Sequence, residues 1–588
     1  MTDASSRTVL LWNFTGYPDY TSYFLADSGL AYLAAKLKLS GHRCVIRDDL
    51  TLDMAERLYP YEHAPRVLEL RDLITHEIIR EGRISDRTLG EAREIDAQVE
   101  ERNGRIAAEI ARELEATIAQ ERVDVLAVKL WTQPSLHHVS SVLRHLRHRF
   151  PHLPIIGGGG HVDYFTTRVL DTIPTLDAAA YGDGEMAFLG YMRFLSGEIP
   201  LEQVPNLIYR LNGTTRMNSA VANAQFKDEV VCQDFEPDTY LAMNSEYLKM
   251  KTIPLEDSRG CQFSCGFCAH PIKSGMLRLR NVEVVLDEIA HLNRRYGLLH
   301  FTGSGSNTPF YHASRIYRGL KDRRLDVALN FFQSTRDFQL EKADIMLESN
   351  IPLFWIGLET AAEGLLDDSL DKKRSMPKTR QVCEFLNRAR IGYIMSVIYP
   401  VLGETEETKQ KTIDFIREVS EGHLVIYPPL VQPRTPWMVS PHVQWLDEEL
   451  FLGRSQYGLE EVENRVLPPI VADEELNRSV LLNGKTYREI YCDTVRFRDE
   501  MNQLYAGKRG YQRDFPATPH LEPFIRQLNE TFYTVDKSLS NGRFDEARQS
   551  MAEFNKLATA GSITATRSLF SVVQGIGPLV QQRSGGPA

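Results

Sequence analysis

The sequence predicts an α/β protein: an N-terminal flavodoxin-like, doubly wound sheet, a central partial (β/α)6 barrel and a mostly helical C-terminal region. Three observations carry this. Short apolar runs alternate with amphipathic helical stretches over roughly the first two hundred residues. The same alternation restarts near Ile253, and after about Gln432 it gives way to a helical, aromatic and less regular pattern.

In chain order, RTVLLWNF (Arg7–Phe14) is the first strand, and Leu30, Leu33, Ala34 and Leu37 mark one face of the helix after it. CVIRD (Cys44–Asp48) is the second strand. A long charged insertion at about 54–121 carries helical signals and no strand signal. VDVLAVKL (Val123–Leu130), LPIIGGGG (Leu153–Gly160) and LDAAAYGDGE (Leu176–Glu185) complete five strand candidates in a domain spanning 1–200. Such alternation predicts a parallel sheet covered on both faces, with ligands at the carboxyl ends of the strands. Residues 201–250 read as a connector with one hairpin turn at Asn212-Gly213. The barrel, 251–430, opens on a short strand before Cys261. Strands follow at LLHFT (298–302), VALNFFQ (327–333), LFWIGLE (353–359), GYIMSVIYP (392–400) and HLVIYPP (423–429). Residues 431–588 are expected to close the barrel mouth over the substrate, with a Gly/Pro-rich tail read as disordered.

The net charge of −11 argues against a nucleic-acid-coating role. No apolar run is long enough to span a bilayer, and the N-terminus lacks the pattern of a signal peptide, so the expected location is the cytoplasm. There thiols stay reduced, and clustered cysteines point to metal rather than disulfides. SRGCQFSCGFCAHP places Cys261, Cys265 and Cys268 in a C-x3-C-x2-C run, while Cys44, Cys232, Cys383 and Cys492 are scattered and read as core. Thiolate is the ligand an iron–sulfur cube prefers, and three cysteines leave one of four irons open to a substrate. The spacing alone leaves a structural zinc site open, with His270 as fourth ligand.

SRGCQFSCGFC, with the helix of LRLRNVEVVLDEI after it, resembles the radical S-adenosylmethionine (SAM) superfamily. GLETAAEGLLDDSLDKK and YPVLGETEET resemble its cobalamin-dependent branch. The resemblance implies a [4Fe-4S] cluster on Cys261, Cys265 and Cys268 whose open iron binds SAM, and an electron donor of flavodoxin or ferredoxin type. Phe267 matches a position whose backbone faces adenine. TGSGS brings Gly303, Ser304 and Gly305 to the place of a glycine-rich motif for the SAM amino group, without that motif's acidic residue. Gln333, Ser334, Arg336 and Glu359, at the next strand ends, are candidates for ribose and carboxylate.

The N-terminal domain resembles cobalamin-binding domains through VDVLAVKLW, IIGGGGHVDYF and YGDGE. A sheet of this kind also accepts a flavin or a nucleotide, although no G-x-G-x-x-G opens the first helix. The resemblance makes Trp131, Thr132 and Gln133 candidates to lie under the corrin, with core packing the other reading of Trp131. Gly158, Gly159, Gly160 and His161, then Gly182, Asp183 and Glu185, are candidates to contact its nucleotide tail and side chains. D-x-H-x-x-G, whose histidine binds cobalt in cobalamin mutases, is absent from the sequence, so no histidine is expected beneath the metal. The expected activity is C-methylation of an unactivated carbon of a small-molecule or peptide substrate, with SAM and cobalamin (as methylcobalamin) as cofactors. Rearrangement, ring contraction or cyclisation on the same cofactors, and polar methylation, are the alternatives, and no individual catalytic residue is legible.

Overall fold

The computed structural model describes residues 6–18, 20–419, 422–460, 465–505, 522–560 and 563; the tail read as disordered lies outside them. Five parallel strands, β1 (Thr8–Asn13), β2 (Arg43–Asp48), β3 (Val125–Lys129), β4 (Ile155–Gly158) and β5 (Ala178–Ala180), form the N-terminal sheet in the order β2-β1-β3-β4-β5. All five are almost wholly buried, because helices cover both faces and no strand needs a polar side. The expected hairpin forms β6 (Leu207–Leu211) and β7 (Thr214–Met217). It is no detached excursion, since β6 pairs antiparallel with β5 and extends the same sheet.

Strand order reverses between β1 and β3, so the loops leaving these strands part and open a crevice at their carboxyl ends. Asn13, Lys129 and Trp131 stand there. The insertion is helical throughout: Leu52–Leu58, Ala64–Glu81 and the 36-residue Asp86–Glu121. Ser85 caps the last of these by accepting from Thr88 N–H at 3.2 Å, and Leu89, Ala92, Val99, Ile106, Ile110 and Leu114 make its buried stripe.

The connector is bound into the first domain. Ile46 N–H donates to Thr239 O at 2.7 Å, and the fully buried Lys249 ammonium lies 2.8 Å from Asp48. Six parallel strands in chain order then make the partial barrel: β8 (Thr252–Leu255), β11 (His300–Gly303), β12 (Ala328–Asn330), β13 (Phe354–Glu359), β14 (Tyr393–Ile398) and β15 (His423–Tyr427). They form two three-stranded sheets joined by a parallel bridge between Phe332 and Trp355. A two-stranded ribbon, β9 (Ser258–Arg259) and β10 (Arg278–Leu279), flanks the cysteine run.

The C-terminal region divides. Residues 431–460 and 465–505 reach the barrel mouth, with β16 (Val443–Trp445) and β17 (Val480–Leu482) paired antiparallel and helix Tyr487–Tyr505 sending Arg498 and Asn502 into the central cavity. Helices Glu522–Asn541 and Phe544–Ala558 do not close the mouth. They pack at the amino ends of the barrel strands, where Leu299 N–H donates to Ala558 O at 2.9 Å and His300 meets the rings of Phe524 and Phe554. Their apolar faces were visible in the sequence, but helical periodicity does not say which end of a barrel a face covers. Among the described residues, no helix is long and apolar enough to cross a membrane.

Candidate active site

The carboxyl ends of both sets of strands face one cavity of about 1300 Å³. Its barrel wall carries the cysteine loop. Cys261 N–H donates to Gly275 O at 3.2 Å, closing the loop at its base. Gly260 sits at φ +77, and a Cβ there would come within 2.3 Å of Met276 O, so only glycine fits before the first cysteine. The far side of the loop is held by residues 369–371. Gly266 N–H donates to Leu370 O at 2.8 Å, and Ser264 Oγ donates to Asp371 at 2.7 Å. Trp437 ties both strips together: its N–H donates to Gly266 O at 3.0 Å and its indole to Ser369 O at 2.8 Å.

Burial raises all three thiols, Cys268 to about 11, so they hold protons until a cation displaces them. Among the described residues, the one group of three His, Cys, Asp or Glu ligand atoms gathered within 4.8 Å is Glu100, His137 and His138. The three cysteine sulfurs are therefore not all within 4.8 Å of one another, so at least one pair stands wider than the ~3.8 Å separation that a single tetrahedral ion with bonds of ~2.3 Å imposes. A four-iron cube, giving each sulfur its own iron, suits the wider spacing. His270 lines the cavity, and burial pushes its imidazole down to about 4.

Of the residues read as SAM contacts, Phe267, Ser304, Gly305 and Glu359 line the cavity. Gly303 lies beneath them, where a Cβ would fall 2.3 Å from the Phe331 ring. Gln333 is buried with its amide against Thr308 O at 3.5 Å, and Ser334 Oγ accepts from Arg336 N–H at 3.1 Å. The exposed Arg336 guanidinium lies 5.0 Å from the Phe263 ring centre. These three are not brought into the cavity lining. Glu359 adopts φ 59 at a bulge in β13, accepts from Ser396 Oγ at 3.2 Å and is paired with Lys372. Beneath the glycine turn is a residue that sequence reasoning missed. Asp257 is fully buried, accepts from Thr308 Oγ1 at 2.7 Å and is pushed up to about 6 by burial. Its position after β8 was readable; its place under a turn 46 residues later was not.

On the facing wall, Trp131 lines the cavity, donates to Asn13 Oδ1 at 2.8 Å and carries the Lys129 ammonium 4.6 Å from its ring centre. Thr132 and Gln133 turn away from the lining. Thr132 Oγ1 meets His161 Nδ1 at 3.2 Å, and Gln133 donates to Tyr23 OH at 3.2 Å. His161 is wholly buried and burial pushes it down to about 3, so it is neutral and lies outside the cavity lining. Gly159, Gly160 and Gly182 border the large cavity; Gly158, Gly159 and Gly182 also border an adjoining one of about 240 Å³ beneath helix Ser28–Leu39. Gly159 has φ +102, and a Cβ there would meet Leu130 O at 3.0 Å.

Asp183 and Glu185 border both the cavity and the barrel, and arginines hold their carboxylates. Arg278 Nη1 donates to Asp183 at 2.6 Å, and Arg259 pairs with Glu185 and, at 2.6 Å, with Glu256. Phe226 lies under both guanidiniums, 4.5 and 5.7 Å from its ring centre. These arginines belong to β9 and β10, the ribbon at the base of the cysteine loop. One clamp therefore fixes that loop against the glycine-rich turn of the other domain.

A sequence profile described as the radical SAM superfamily matches residues 255–416. An uncharacterized methyltransferase of Pyrococcus horikoshii is 25% identical over 274 residues, 45% of this chain and 58% of that protein. The anaerobic magnesium-protoporphyrin IX monomethyl ester cyclase of Cereibacter sphaeroides is 23% identical over 484 residues, 77% of this chain and 75% of that one. The chain thus spans little more than half the length of the first relative. The solved radical SAM methyltransferase TsrM from Kitasatospora setae superposes with a TM-score of 0.58 at 15% identity, covering 94% of this chain and 100% of that one. A likeness at that identity speaks for the fold. Residues 255–416, which the radical SAM profile matches, carry the cysteine loop at the mouth of the barrel, and the chain shares the fold of TsrM over nearly its whole length.

Proposed function

We propose that the chain is a cobalamin-dependent radical SAM methyltransferase acting on an unactivated carbon of a small organic substrate. The observation that carries this reading is the large cavity shared by two walls of different chemistry, the cysteine loop reaching one through Gly260, Phe267 and His270 and glycine turns at Gly159, Gly160 and Gly182 forming the other. When bound, the cluster with SAM would supply a hydrogen-abstracting radical, and the corrinoid a transferable methyl group.

Cys261, Cys265 and Cys268 would hold the cluster, with Trp437 and residues 369–371 keeping the loop rigid. Ser304 and Gly305 offer backbone at close approach to a ligand, and Phe267 offers an aromatic edge. Opposite them, Gly159, Gly160 and Gly182 let a broad ligand approach the backbone, and the 240 Å³ side cavity fits the tail of such a ligand. No charged nitrogen ligand faces it from His161, which is neutral and buried. Leu424, Ile426, Pro428 and Leu430 make an apolar flank, consistent with a substrate that buries carbon surface.

The cyclase relative, matched over 77% of this chain, favours one second reading: carbon–carbon closure on the same cofactors without methyl transfer. Counting products separates the two. Radical methylation yields S-adenosylhomocysteine and 5'-deoxyadenosine in near-equal amounts and a product heavier by one methylene. With a deuterated substrate carbon, the label appears in 5'-deoxyadenosine. Cyclisation gives 5'-deoxyadenosine without matching S-adenosylhomocysteine, and polar methylation gives the reverse. Either single-product pattern with the true substrate overturns the proposal.

A further inference from the structure

Residues 369–374 wrap the cysteine loop on the side away from its ribbon. Leu370 and Asp371 bind Gly266 and Ser264, the two neighbours of Cys265. The segment is forced into this path: Asp371 and Lys373 take φ of 46 and 34, left-handed values that cost a non-glycine residue on the order of 1 kcal/mol each. The path brings two cations inward. Lys372 is spent, since it pairs with Glu359 and donates to Gly357 O at 2.7 Å. Arg374 is not. It is 6% exposed, and its Nε and Nη1 are buried with no hydrogen-bond partner among the described residues. Glu359, Cys265 and Cys383 are the groups whose charge acts on it, and burial still pushes its guanidinium down. Glu359 is already engaged by Lys372 and Ser396, and Cys383 is a buried thiol raised to about 12, hence neutral.

A buried guanidinium without a counter-charge costs several kcal/mol. The site it adjoins is built to receive an anion: three thiolates on a four-iron, four-sulfide cube bring one net negative charge, and one-electron reduction brings a second. We propose that Arg374 is the counter-charge of the iron–sulfur cluster, offsetting the thiolates and easing one-electron reduction. This rests on the reading that the three cysteines hold a cluster.

The test is a redox titration of the anaerobically reconstituted full chain with dithionite, without SAM, followed by electron paramagnetic resonance and normalised to iron content. Arg374→Met is expected to lower the ratio of reduced to oxidised cluster about tenfold at a fixed potential, equivalent to 59 mV for one electron. Arg374→Lys should restore most of it, and Lys372→Met should shift it less, because Glu359 already neutralises that ammonium. Cluster-free Arg374→Met should also melt higher than cluster-free wild type, since it no longer buries an unpaired charge. An unchanged potential overturns the proposal, and so does an unchanged potential with weakened SAM binding, which would assign the guanidinium to the SAM carboxylate instead. If Arg374→Met takes up no iron, the melting comparison decides, and a lower melting temperature overturns the proposal. Wild type that binds no iron would sink the cluster reading itself, a different result from iron bound at an unaltered potential.

Discussion

The two walls of the cavity treat charge in opposite ways. On the N-terminal wall of the large cavity Asp27 pairs with Lys129, Asp183 with Arg278, and Glu185 with Arg259, and only Asp163, in the side cavity, relies on a backbone N–H. On the barrel side, behind the cysteine loop with its three raised thiols, Nε and Nη1 of the buried Arg374 guanidinium have no hydrogen-bond partner among the described residues. A wall with satisfied charges and glycine turns suits a broad ligand met through backbone and shape. One with displaceable thiol protons and surplus positive charge suits a compact anion. Sharing an α/β scaffold did not make the walls alike; the side chains at the strand ends did.

The largest effect that would break this comparison is on the barrel wall. Cys261→Ala, Cys265→Ala or Cys268→Ala should each abolish iron incorporation measured after anaerobic reconstitution, whereas Cys383→Ala should retain it. Zinc in place of iron would overturn the assignment. Next comes the clamp between the walls. Arg259→Ala leaves Glu185 and Glu256 partly buried without their guanidinium, a loss of about 3–5 kcal/mol that a denaturant midpoint would register. A change under about 1 kcal/mol would mean that the clamp is only a solvated ion pair.

A smaller effect tests the N-terminal wall alone. A Cβ on Gly158 meets only Ala180, at 3.8 Å, so Gly158→Leu can grow into the 240 Å³ cavity. Cobalamin affinity should fall at least about tenfold, roughly 1.4 kcal/mol, with iron content unchanged. Undiminished affinity would place the ligand's tail elsewhere. The smallest is a pH dependence. Burial pushes Asp163 up to about 7 from an ordinary 3.8, so the folded state binds its proton more tightly than the unfolded chain does. Stability should therefore fall as pH rises from about 4 to about 7 and stay level above it. Asp163→Asn preserves an acceptor for Gly182 N–H, 2.7 Å away, and should flatten the melting temperature across that range. An unaltered slope would assign it to another group.

How much was readable follows from distance along the chain. Both strand series, the helical insertion and the cysteine loop are written in windows of a few to a few tens of residues, where hydrophobic period and ligand spacing act directly. The glycines at 159, 182 and 260 belong to the same class, since a left-handed backbone or a close carbonyl excludes a side chain locally. Only the tertiary structure decided the rest. Arg278 reaches Asp183 across 95 residues, and Asp257 finds its place under the turn at Gly303–Gly305 through strand pairing. Helices Glu522–Asn541 and Phe544–Ala558 seal the closed end of a barrel begun some 270 residues earlier. An apolar stripe or a charge states that a partner is needed, while the choice among many chemically equivalent partners is made by packing the whole chain.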